Sequence, residues 1–367
     1  MLVTHVIKAT GFAGAEAHLL TLLPALREFG IDSELVVLAE PNREPTVFLD
    51  AARAAGIAAC GIPIYFHADP TLAGRLAEHL RAAPPDIVHT HLIHADLHGA
   101  MATSISNRQS LISSRHNDDR FRRHFLVKAL NRAAMRRAKK IIAISDAVAK
   151  FVVEVEGAPR EKVTRIHYGL DAENYMARAR PGSIRSELGL DDSIPVAAFV
   201  GRLTAQKGVE TLLSAWRAIS ARIPSAHLLI SGDGELRESL VTTYPLPLTN
   251  YHFLGWRSDI PSLMSDCDVL VVPSLWEGFG MVTLEAMAAR KPVIASRVSA
   301  LPEIVVDGET GYLVPSADPE RLSQSIIAVL SDRDRAREMG MKGRERLERE
   351  FSVEKMAEGH AQEYREA

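Results

Sequence analysis

The sequence has little cysteine and no long hydrophobic run. Two cysteines, Cys60 and Cys267, occur in 367 residues and lie far apart, which excludes a disulfide-stabilised scaffold and favours a reducing compartment. Their thiols are expected to have no structural role. No apolar run approaches the roughly 18 residues that a membrane span needs. The chain opens on an apolar segment at residues 1–7 that is typical of a strand, so we expect no signal peptide.

Net charge is also small. The chain has 43 Lys and Arg against 46 Asp and Glu, a formal net charge of -3, which argues against general nucleic-acid binding. Hydrophobic residues make up 47% and charged residues 24%, the ordinary balance of a globular protein. Because a single core stops growing beyond about 250–300 residues, the length predicts about two domains.

The same order of elements occurs twice along the chain. In each half an apolar strand is followed by a loop of small residues or glycines, a helix and another strand, which predicts parallel sheets covered by helices on both faces. The predicted fold class is α/β, with two facing Rossmann-like domains and an interdomain cleft. We place the first domain at residues 1–178, joined by a C-terminal helix at 353–367 that crosses back, and the second at 179–352. The strands that support this lie at 3–8, 34–39, 86–90, 140–145, 195–200, 226–230 and 268–272.

A loop with two cations follows the first strand of the second half. Residues 201–208 carry Arg202 and Lys207 between two glycines, and the loop leads into a helix. Ligands of doubly wound sheets bind beyond the carboxyl ends of strands, and an arginine fork with a mobile lysine suits a diphosphate. The loop lacks the Gly-Lys-Ser/Thr ending of a Walker motif, and no Gly-x-Gly-x-x-Gly takes the dinucleotide position. The alternative is an ordinary solvated loop at a helix start.

Two glutamates stand eight positions apart in residues 277–285. Glu277 begins a Gly-Phe-Gly loop, and Glu285 lies inside a predicted helix at 282–290. The N–H groups at that helix start can hold an anion or sugar hydroxyls. An exposed helix glutamate is the plain alternative for Glu285, but its neighbours are apolar, which favours a function.

Several segments together resemble the retaining glycosyltransferases of family four, which have the GT-B fold. The likeness covers nearly the whole chain and is strongest from about 196 to 314. Its motifs are highly specific for the family and uninformative about the acceptor. The segments that carry it are Val-Gly-Arg-Leu at 200–203 with Lys-Gly at 207–208, Gly-Trp-Arg at 255–257, 268–274, Glu-Gly-Phe-Gly at 277–280, Glu-Ala-Met-Ala at 285–288, 291–295, Glu303, 308–314, 144–148 and 166–171.

The resemblance implies a role for each matching residue of the second half. Arg202 and Lys207 grip the donor diphosphate, Glu277 contacts the donor sugar near the reacting carbon, and Glu285 accepts hydrogen bonds from the ribose. The main chain near Arg257 meets the base. Backbone N–H groups of the residues around the helix start serve sugar hydroxyls and phosphate, and these are Gly278, Phe279, Gly280, Met281 and Val282.

In the first half, the resemblance points to Gly14 and His116. Gly14 matches a glycine loop that approaches the diphosphate. The family often has a Gly-Gly pair there, whereas Ala13 precedes Gly14 here, and its methyl would narrow the approach. His116 matches a histidine that contacts the donor sugar or a phosphate and helps to place the acceptor. Ordinary polar loop chemistry is the alternative for His116.

The implied activity is a retaining, metal-independent hexosyl transfer from a nucleotide-diphosphate sugar, UDP rather than GDP, to a hydroxyl acceptor. Neither a metal nor another cofactor is expected, because side-chain cations stabilise the leaving group. The acceptor is expected to be a glycan, glycolipid or small molecule, in cell-envelope polysaccharide, lipopolysaccharide or glycolipid synthesis. Two alternatives stay open, a nucleotide-sugar epimerase of the same fold and a non-catalytic nucleotide-sugar or glycan binder.

Two further clusters of residues remain. Four histidines at 89, 91, 94 and 98 suggest a zinc site, but an acceptor-cleft lining or a structural role is the better interpretation. Residues 115–140 hold ten Lys and Arg against two Asp, a local charge of +8. This basic strip is either a solvated face or a surface for anionic lipid headgroups or a phosphorylated acceptor. The expected location is cytoplasmic, including the inner face of the membrane.

Overall fold

The computed structural model describes residues 1–9, 14–40, 46–65, 69–106, 109–117, 124–243 and 250–367. It divides into two compact units, Met1–Gly169 with Val353–Ala367, and Leu170–Ser352. The boundary after Gly169 differs from the one expected after residue 178. None of the helices found in these ranges is long and apolar enough to cross a membrane.

The first unit holds a parallel sheet of seven strands in the order β3-β2-β1-β4-β5-β6-β7. Its strands are β1 (Leu2–Lys8), β2 (Asp32–Ala39), β3 (Ala58–Pro63), β4 (Ile87–His91), β5 (Ser110–Arg115), β6 (Lys140–Ala143) and β7 (Val163–Arg165). Its helices are α1 (Gly14–Ala25), α2 (Thr46–Ala54), α3 (Leu72–Ala82), α4 (Leu92–Ser106), α5 (Phe125–Arg137), α6 (Asp146–Phe151) and, at the chain end, α16 (Val353–Glu366).

The second unit repeats this plan with six parallel strands in the order β10-β9-β8-β11-β12-β13. Its strands are β8 (Val196–Val200), β9 (His227–Ser231), β10 (Tyr251–Gly255), β11 (Val269–Val272), β12 (Val293–Ser296) and β13 (Gly311–Val314). Its helices are α7 (Ala172–Ala177), α8 (Ser183–Leu188), α9 (Val209–Arg222), α10 (Arg237–Thr243), α11 (Ile260–Asp266), α12 (Met281–Ala288), α13 (Leu301–Ile304), α14 (Pro319–Ser331) and α15 (Arg333–Glu350).

Apolar strands determine where the cores lie. β11 reads Val-Leu-Val-Val and is buried throughout, because helices cover both faces of a parallel sheet. One apolar cluster lies on each face of the second sheet, with Trp216 of α9 in one and Leu301 of α13 in the other. In the first unit, Met356 and Tyr364 of α16 join the core of β1 and α1.

Strand order reverses once in each sheet, which confirms the prediction of two Rossmann-like domains. The chain adds strands outward from β1 to β3 and then starts again beside β1 with β4, and β8 and β11 are related in the same way. Crevices form outside the carboxyl ends of strands at such switch points, which are where ligands of this fold bind. The loops that follow β8 and β11 therefore mark the first place to look for a site.

Candidate active site

The loops after β8 and β11 meet through an ion pair. Lys207 Nζ donates to Glu277 Oε2 at 2.5 Å, and the Ser274 hydroxyl donates to the same oxygen at 3.2 Å. The lysine side chain is 18% exposed and the glutamate side chain 10%, so the pair is only partly solvated. The structure thus brings together two residues that lie 70 positions apart and that the sequence analysis selected separately.

Hydrogen bonds to backbone carbonyls hold the two loops together. Leu275 N donates to Gln206 O at 2.8 Å, and the Gln206 amide donates to Trp276 O at 3.1 Å. Gly208 has φ +64°, and a Cβ added there would lie 2.0 Å from Pro273 O. Glycine is therefore required at 208 both by its conformation and by the approach of the second loop.

Arg202 lies on the same loop as Lys207 and is exposed. Its Nη2 donates to Gln206 Oε1 at 3.4 Å, a long bond to a residue that itself joins the two loops. The guanidinium therefore has donors available to an incoming anion, as a diphosphate ligand requires.

Helix α12 starts directly after the glutamate loop. Gly280 precedes the helix at φ +90°, where a Cβ would lie 3.2 Å from Glu277 Cγ. Phe279 is buried and contacts Phe351 edge to face, which anchors the turn. The positive end of α12 is thus fixed beside the Glu277 carboxylate. Gly278 and Phe279 form the loop before the helix, and Met281 and Val282 begin its first turn.

Glu285 lies on α12 in a less polar setting. Its Oε2 accepts a hydrogen bond of 3.3 Å from the hydroxyl of Tyr175, which comes from α7 of the same unit. Burial raises the pKa of Glu285 to about 7, against the smaller opposing effects of Tyr175 and Arg178. A ligand hydroxyl that donates a hydrogen bond to the ionised carboxylate would therefore stabilise its charged form.

Arg257 uses its side chain within the protein. Its guanidinium pairs with both oxygens of Glu187 at 2.9 Å and with both oxygens of Asp259 at 2.8 Å. The hydrogen bonds that it donates to Asp259 and Glu187 raise the pKa of Arg257. This leaves the main chain for the predicted base contact, next to Trp256, a residue that is 77% exposed.

In the first unit, His116 is nearly buried and has both ring nitrogens engaged. Its Nε2 shares a hydrogen bond of 3.0 Å with His91 Nδ1, and its Nδ1 lies 2.5 Å from the Tyr168 hydroxyl. His91 Nε2 is in turn 3.0 Å from His5 Nδ1. A sugar or phosphate that used a ring nitrogen of His116 would replace one of these protein partners.

The histidines at 89 and 91 join a cluster that the sequence analysis did not recognise. It has six members, all buried, and they are His5, His18, His89, His91, His116 and His360. His5 lies opposite His89 in the β1–β4 register, whereas His94 and His98 lie on α4 and are half-buried. Both nitrogens of His89 are hydrogen-bonded, at 2.6 Å to the Tyr364 hydroxyl and 2.8 Å to Ser114 Oγ, so we assign no metal there.

Gly14 opens α1 and is exposed, and the preceding Ala13 lies outside the described residues. In the basic strip, Arg120, Arg122 and Arg123 also lie outside them. Arg115 is wrongly counted as a surface cation, because it is fully buried and bonded to Asp96 at 2.5 Å and Glu156 at 3.0 Å. Lys140 is paired with Glu363 and Glu366. Fewer cations of the described part of the strip are therefore exposed to solvent than its sequence suggests.

Comparisons with known proteins agree with this architecture. Two family models match, Glycosyltransferase Family 4 at residues 12–174 and Glycosyl transferases group 1 at residues 182–346. The alpha-maltose-1-phosphate synthase of Mycolicibacterium smegmatis is 30% identical over 338 residues, 82% of this chain and 86% of that one. The capsular polysaccharide biosynthesis glycosyltransferase CapM of Staphylococcus aureus is 28% identical over 279 residues, 73% of each chain.

A solved structure, Anabaena HepE in complex with UDP, matches over 100% of both chains with a TM-score of 0.84 and 22% identity, which supports the fold. The second model lies within the second unit, the first covers most of the first unit and ends at residue 174, and the two relatives named above align over 86% and 73% of their own length. The chain belongs to the glycosyltransferases of family four.

Proposed function

We propose that this glycosyltransferase moves a sugar, with retention of configuration, from a nucleoside-diphosphate sugar to a hydroxyl acceptor. The observation that carries the proposal is the Lys207–Glu277 pair before the start of α12, with Arg202 on the same loop as Lys207 and Glu285 about one turn into α12. This arrangement offers cations for a diphosphate and carboxylates for sugar hydroxyls. HepE, which shares the fold, has been solved with UDP and with UDP-glucose, which supports UDP rather than GDP as the carrier.

The proposed transfer breaks the bond between the anomeric carbon and the phosphate oxygen. The nucleoside diphosphate leaves with the electron pair, and negative charge grows on its terminal phosphate. Arg202, Lys207 and the start of α12 stabilise that charge as preorganised donors, so no metal takes part. The acceptor hydroxyl attacks from the face that the phosphate leaves, and its proton passes to the departing phosphate oxygen.

The carboxylates have different tasks in this scheme. Glu277, held by Lys207 and Ser274, accepts hydrogen bonds from the donor sugar near the reacting carbon. Glu285 accepts from the ribose hydroxyls of the nucleotide. His116 contacts the donor sugar or a phosphate and helps to place the acceptor, through a nitrogen that now faces Tyr168 or His91. Gly14 has no side chain and leaves its backbone accessible to the donor phosphates.

One relative supports the proposed acceptor class. CapM is named for capsular polysaccharide biosynthesis, which supports a role in cell-envelope polysaccharide, lipopolysaccharide or glycolipid synthesis. An acceptor of this kind is presented at a membrane, and we propose that the exposed cations of the basic strip attach the protein to anionic lipid. Arg132, Arg136 and Arg137 of α5 are exposed and suited to this contact.

Slow donor hydrolysis tests the reaction without a known acceptor. Purified protein is incubated with UDP-glucose or GDP-glucose after EDTA treatment, and the sugar is followed by proton NMR. We expect UDP and α-glucose as the first products, before mutarotation, at a rate that EDTA leaves unchanged. β-Glucose first would overturn retention, loss of turnover restored by manganese would overturn metal independence, and a faster reaction with GDP-glucose would overturn the UDP preference.

The same spectra separate the alternatives. A changed sugar isomer formed without any acceptor would identify an epimerase. A thermal shift with UDP-glucose but no turnover, even with a panel of sugar acceptors, would identify a non-catalytic binder. A selective ligand at 100 times its dissociation constant adds about 2.7 kcal/mol to stability, which such a shift detects readily.

A further inference from the structure

Three metal-ligating side chains meet at the edge of the first sheet. Glu34 comes from β2, Cys60 from β3 and His79 from α3, and their ligand atoms all lie within 4.8 Å of one another. In the β2–β3 register Glu34 lies beside Ala58 and Val36 beside Cys60. Since side chains two positions apart point to one face of a sheet, Glu34 and Cys60 share the face that α3 covers.

We propose that Glu34, Cys60 and His79 form a zinc site. A thiolate, an imidazole and a carboxylate are the three ligand types that zinc takes in proteins. The thiolate and carboxylate together carry two negative charges, which balance the charge of Zn²⁺. Three protein ligands leave the fourth tetrahedral position to water, so the ion would keep one exchangeable ligand.

The existing contacts already orient two of the ligands. His79 Nε2 lies 2.8 Å from Glu34 Oε1, and the ion would replace the proton that these two atoms share. The Thr4 hydroxyl donates to the other oxygen, Glu34 Oε2, at 2.8 Å and fixes the plane of the carboxylate. Hydrogen-bond partners of this kind orient ligands and strengthen metal binding.

The surroundings suit uptake of an ion from solvent. All three residues are half-buried, so an ion can reach them and still lose part of its hydration shell. Burial and the nearby Glu34 raise the pKa of the Cys60 thiol, and the Glu34 hydrogen bond raises the pKa of His79. Zinc would displace both protons when it binds.

A bound ion would join three elements at an exposed place in the fold. β3 is the outermost strand of the first sheet, bonded only to β2 among the described strands. The site would link β3 to β2 and to α3, and would therefore raise the unfolding temperature of the first unit by mass action. None of the three ligands is among the residues proposed to bind the donor, so this site and the proposed function stand or fall separately.

Cobalt spectroscopy tests the proposal on the full-length protein. Metal-free protein is titrated with Co²⁺ at pH 8, and we expect a thiolate-to-cobalt charge-transfer band that saturates at one equivalent and disappears on addition of Zn²⁺. Cys60→Ser should lose the band. Cys267→Ser is the matched control, because Cys267 is the other thiol of the chain and is buried in the second unit, and it should keep the band in full.

Two further variants separate a ligand set from a lone reactive thiol. His79→Asn should weaken cobalt binding at least about 10-fold, and Thr4→Val, which removes only the carboxylate's hydrogen bond, by about 10-fold. Circular dichroism checks that each variant is folded. No charge-transfer band in the wild-type protein, a band that persists in Cys60→Ser, or unchanged affinity in His79→Asn would overturn the site.

Discussion

Glu277 and Glu285 are the same residue type eight positions apart, and their surroundings give them different chemistry. Glu277 accepts hydrogen bonds from a lysine and a serine hydroxyl. Glu285 lies among apolar neighbours on α12, with the Tyr175 hydroxyl at a long 3.3 Å. Burial therefore dominates at Glu285 and raises its pKa to about 7. Glu285 therefore changes its charge near neutral pH.

Nucleotide-sugar binding should weaken as pH falls below neutrality. If Glu285 accepts the ribose hydroxyls, binding requires its ionised form, and a pKa of about 7 leaves only about a tenth of it ionised at pH 6. The dissociation constant of UDP-glucose, measured by calorimetry, should rise about 10-fold between pH 8 and pH 6. UDP-glucose is the right probe because its diphosphate has no group that titrates near neutrality.

Glu285→Gln provides the control for this pH dependence. The amide has the size of the protonated acid but does not titrate, so the variant should bind weakly at both pH values and show a flat profile. A wild-type profile that is flat, or a variant that keeps the wild-type slope, would show that Glu285 does not hold the ribose.

Arg202 and Lys207 should matter more for turnover than for donor binding. Charge on the leaving diphosphate grows in the transition state, so a cation that meets it contributes more there than in the bound substrate. Arg202→Ala and Lys207→Ala should each lower kcat by about 100-fold or more, with a smaller change in KM. A raised KM with unchanged kcat in steady-state assays would contradict this role.

At the scale of elements, the loops that follow β8 and β11 depend on the close approach of Gly208 to Pro273. Gly208 lies at φ +64°, and an added Cβ would lie 2.0 Å from Pro273 O, whereas Gly189 has nearly the same φ, +65°, and no described atom within 4 Å. Gly189→Ala therefore measures the conformational cost alone, about 1–2 kcal/mol. Gly208→Ala adds the clash and should cost on the order of 3 kcal/mol.

Tryptophan fluorescence during urea unfolding measures both variants. All three tryptophans, Trp216, Trp256 and Trp276, belong to the second unit, so the signal reports the unit that carries both glycines. Equal losses of stability in the two variants would show that the loops can separate without cost.

Strands β1 and β4 make the stability of the first unit depend on pH, because they bury histidines in neutral form. Burial lowers the pKa of five of the six clustered imidazoles, to about 3 for His5 and about 4 for His360. The unfolded chain binds protons near pH 6.5 and the folded unit does not, so stability falls as pH drops below 6.5. His5 and His360 alone should each cost about 2 kcal/mol between pH 7 and pH 5.

Hydrogen exchange resolves this effect by unit. Protection factors in β1 and β4 should fall more steeply between pH 7 and pH 5 than those in β8 and β11. His360→Leu replaces one titrating ring by an apolar side chain of similar volume, and should recover about 2 kcal/mol of the stability lost at pH 5. Equal loss of protection in both sheets would contradict the assignment to the histidines.

Local sequence patterns predicted part of the fold and of the candidate site, whereas contacts between distant segments could not be predicted from the sequence. The loop at 201–208 and the helix near Glu285 follow from strand, glycine and apolar spacing within about 15 residues, and the helix lies at Met281–Ala288 against the expected 282–290. His5 reaches the cluster from β1, His18 from α1 and His360 from α16, and local spacing in the sequence does not show that these three segments pack together. β3 contains a glycine and a proline, so its composition hid an edge strand.

At the scale of the whole molecule, composition alone misplaced the boundary between the units. Residues 177–183, rich in Arg, Ala, Pro and Gly, are typical of a linker, yet α7 before them already belongs to the second unit. Tyr175 of α7 bonds to Glu285, and Glu173 pairs with Arg344 of α15. The chain therefore enters the second unit at Leu170, and α16 returns to the first.

Attachment to anionic membranes is the prediction that belongs to this scale. Each cation near such a surface contributes on the order of 1 kcal/mol, so five should change partitioning by orders of magnitude. Replacing Arg122, Arg123, Lys128, Arg132 and Arg136 by Gln should release the protein from phosphatidylserine vesicles in a sedimentation assay. Salt should release the wild type as well, because the attraction decays over a Debye length of about 8 Å at physiological ionic strength.

The matched control removes exposed cations from the second unit. Arg217→Gln, Arg222→Gln, Arg321→Gln, Arg337→Gln and Lys342→Gln remove the same number of cations without touching the strip, so this variant should stay bound if attachment is local rather than a response to total charge. Activity on a short soluble acceptor should survive in the strip variant, since the donor loops belong to the other unit. A wild type that ignores anionic vesicles at low salt would reduce the strip to a solvated face, and a soluble acceptor would then fit the site better.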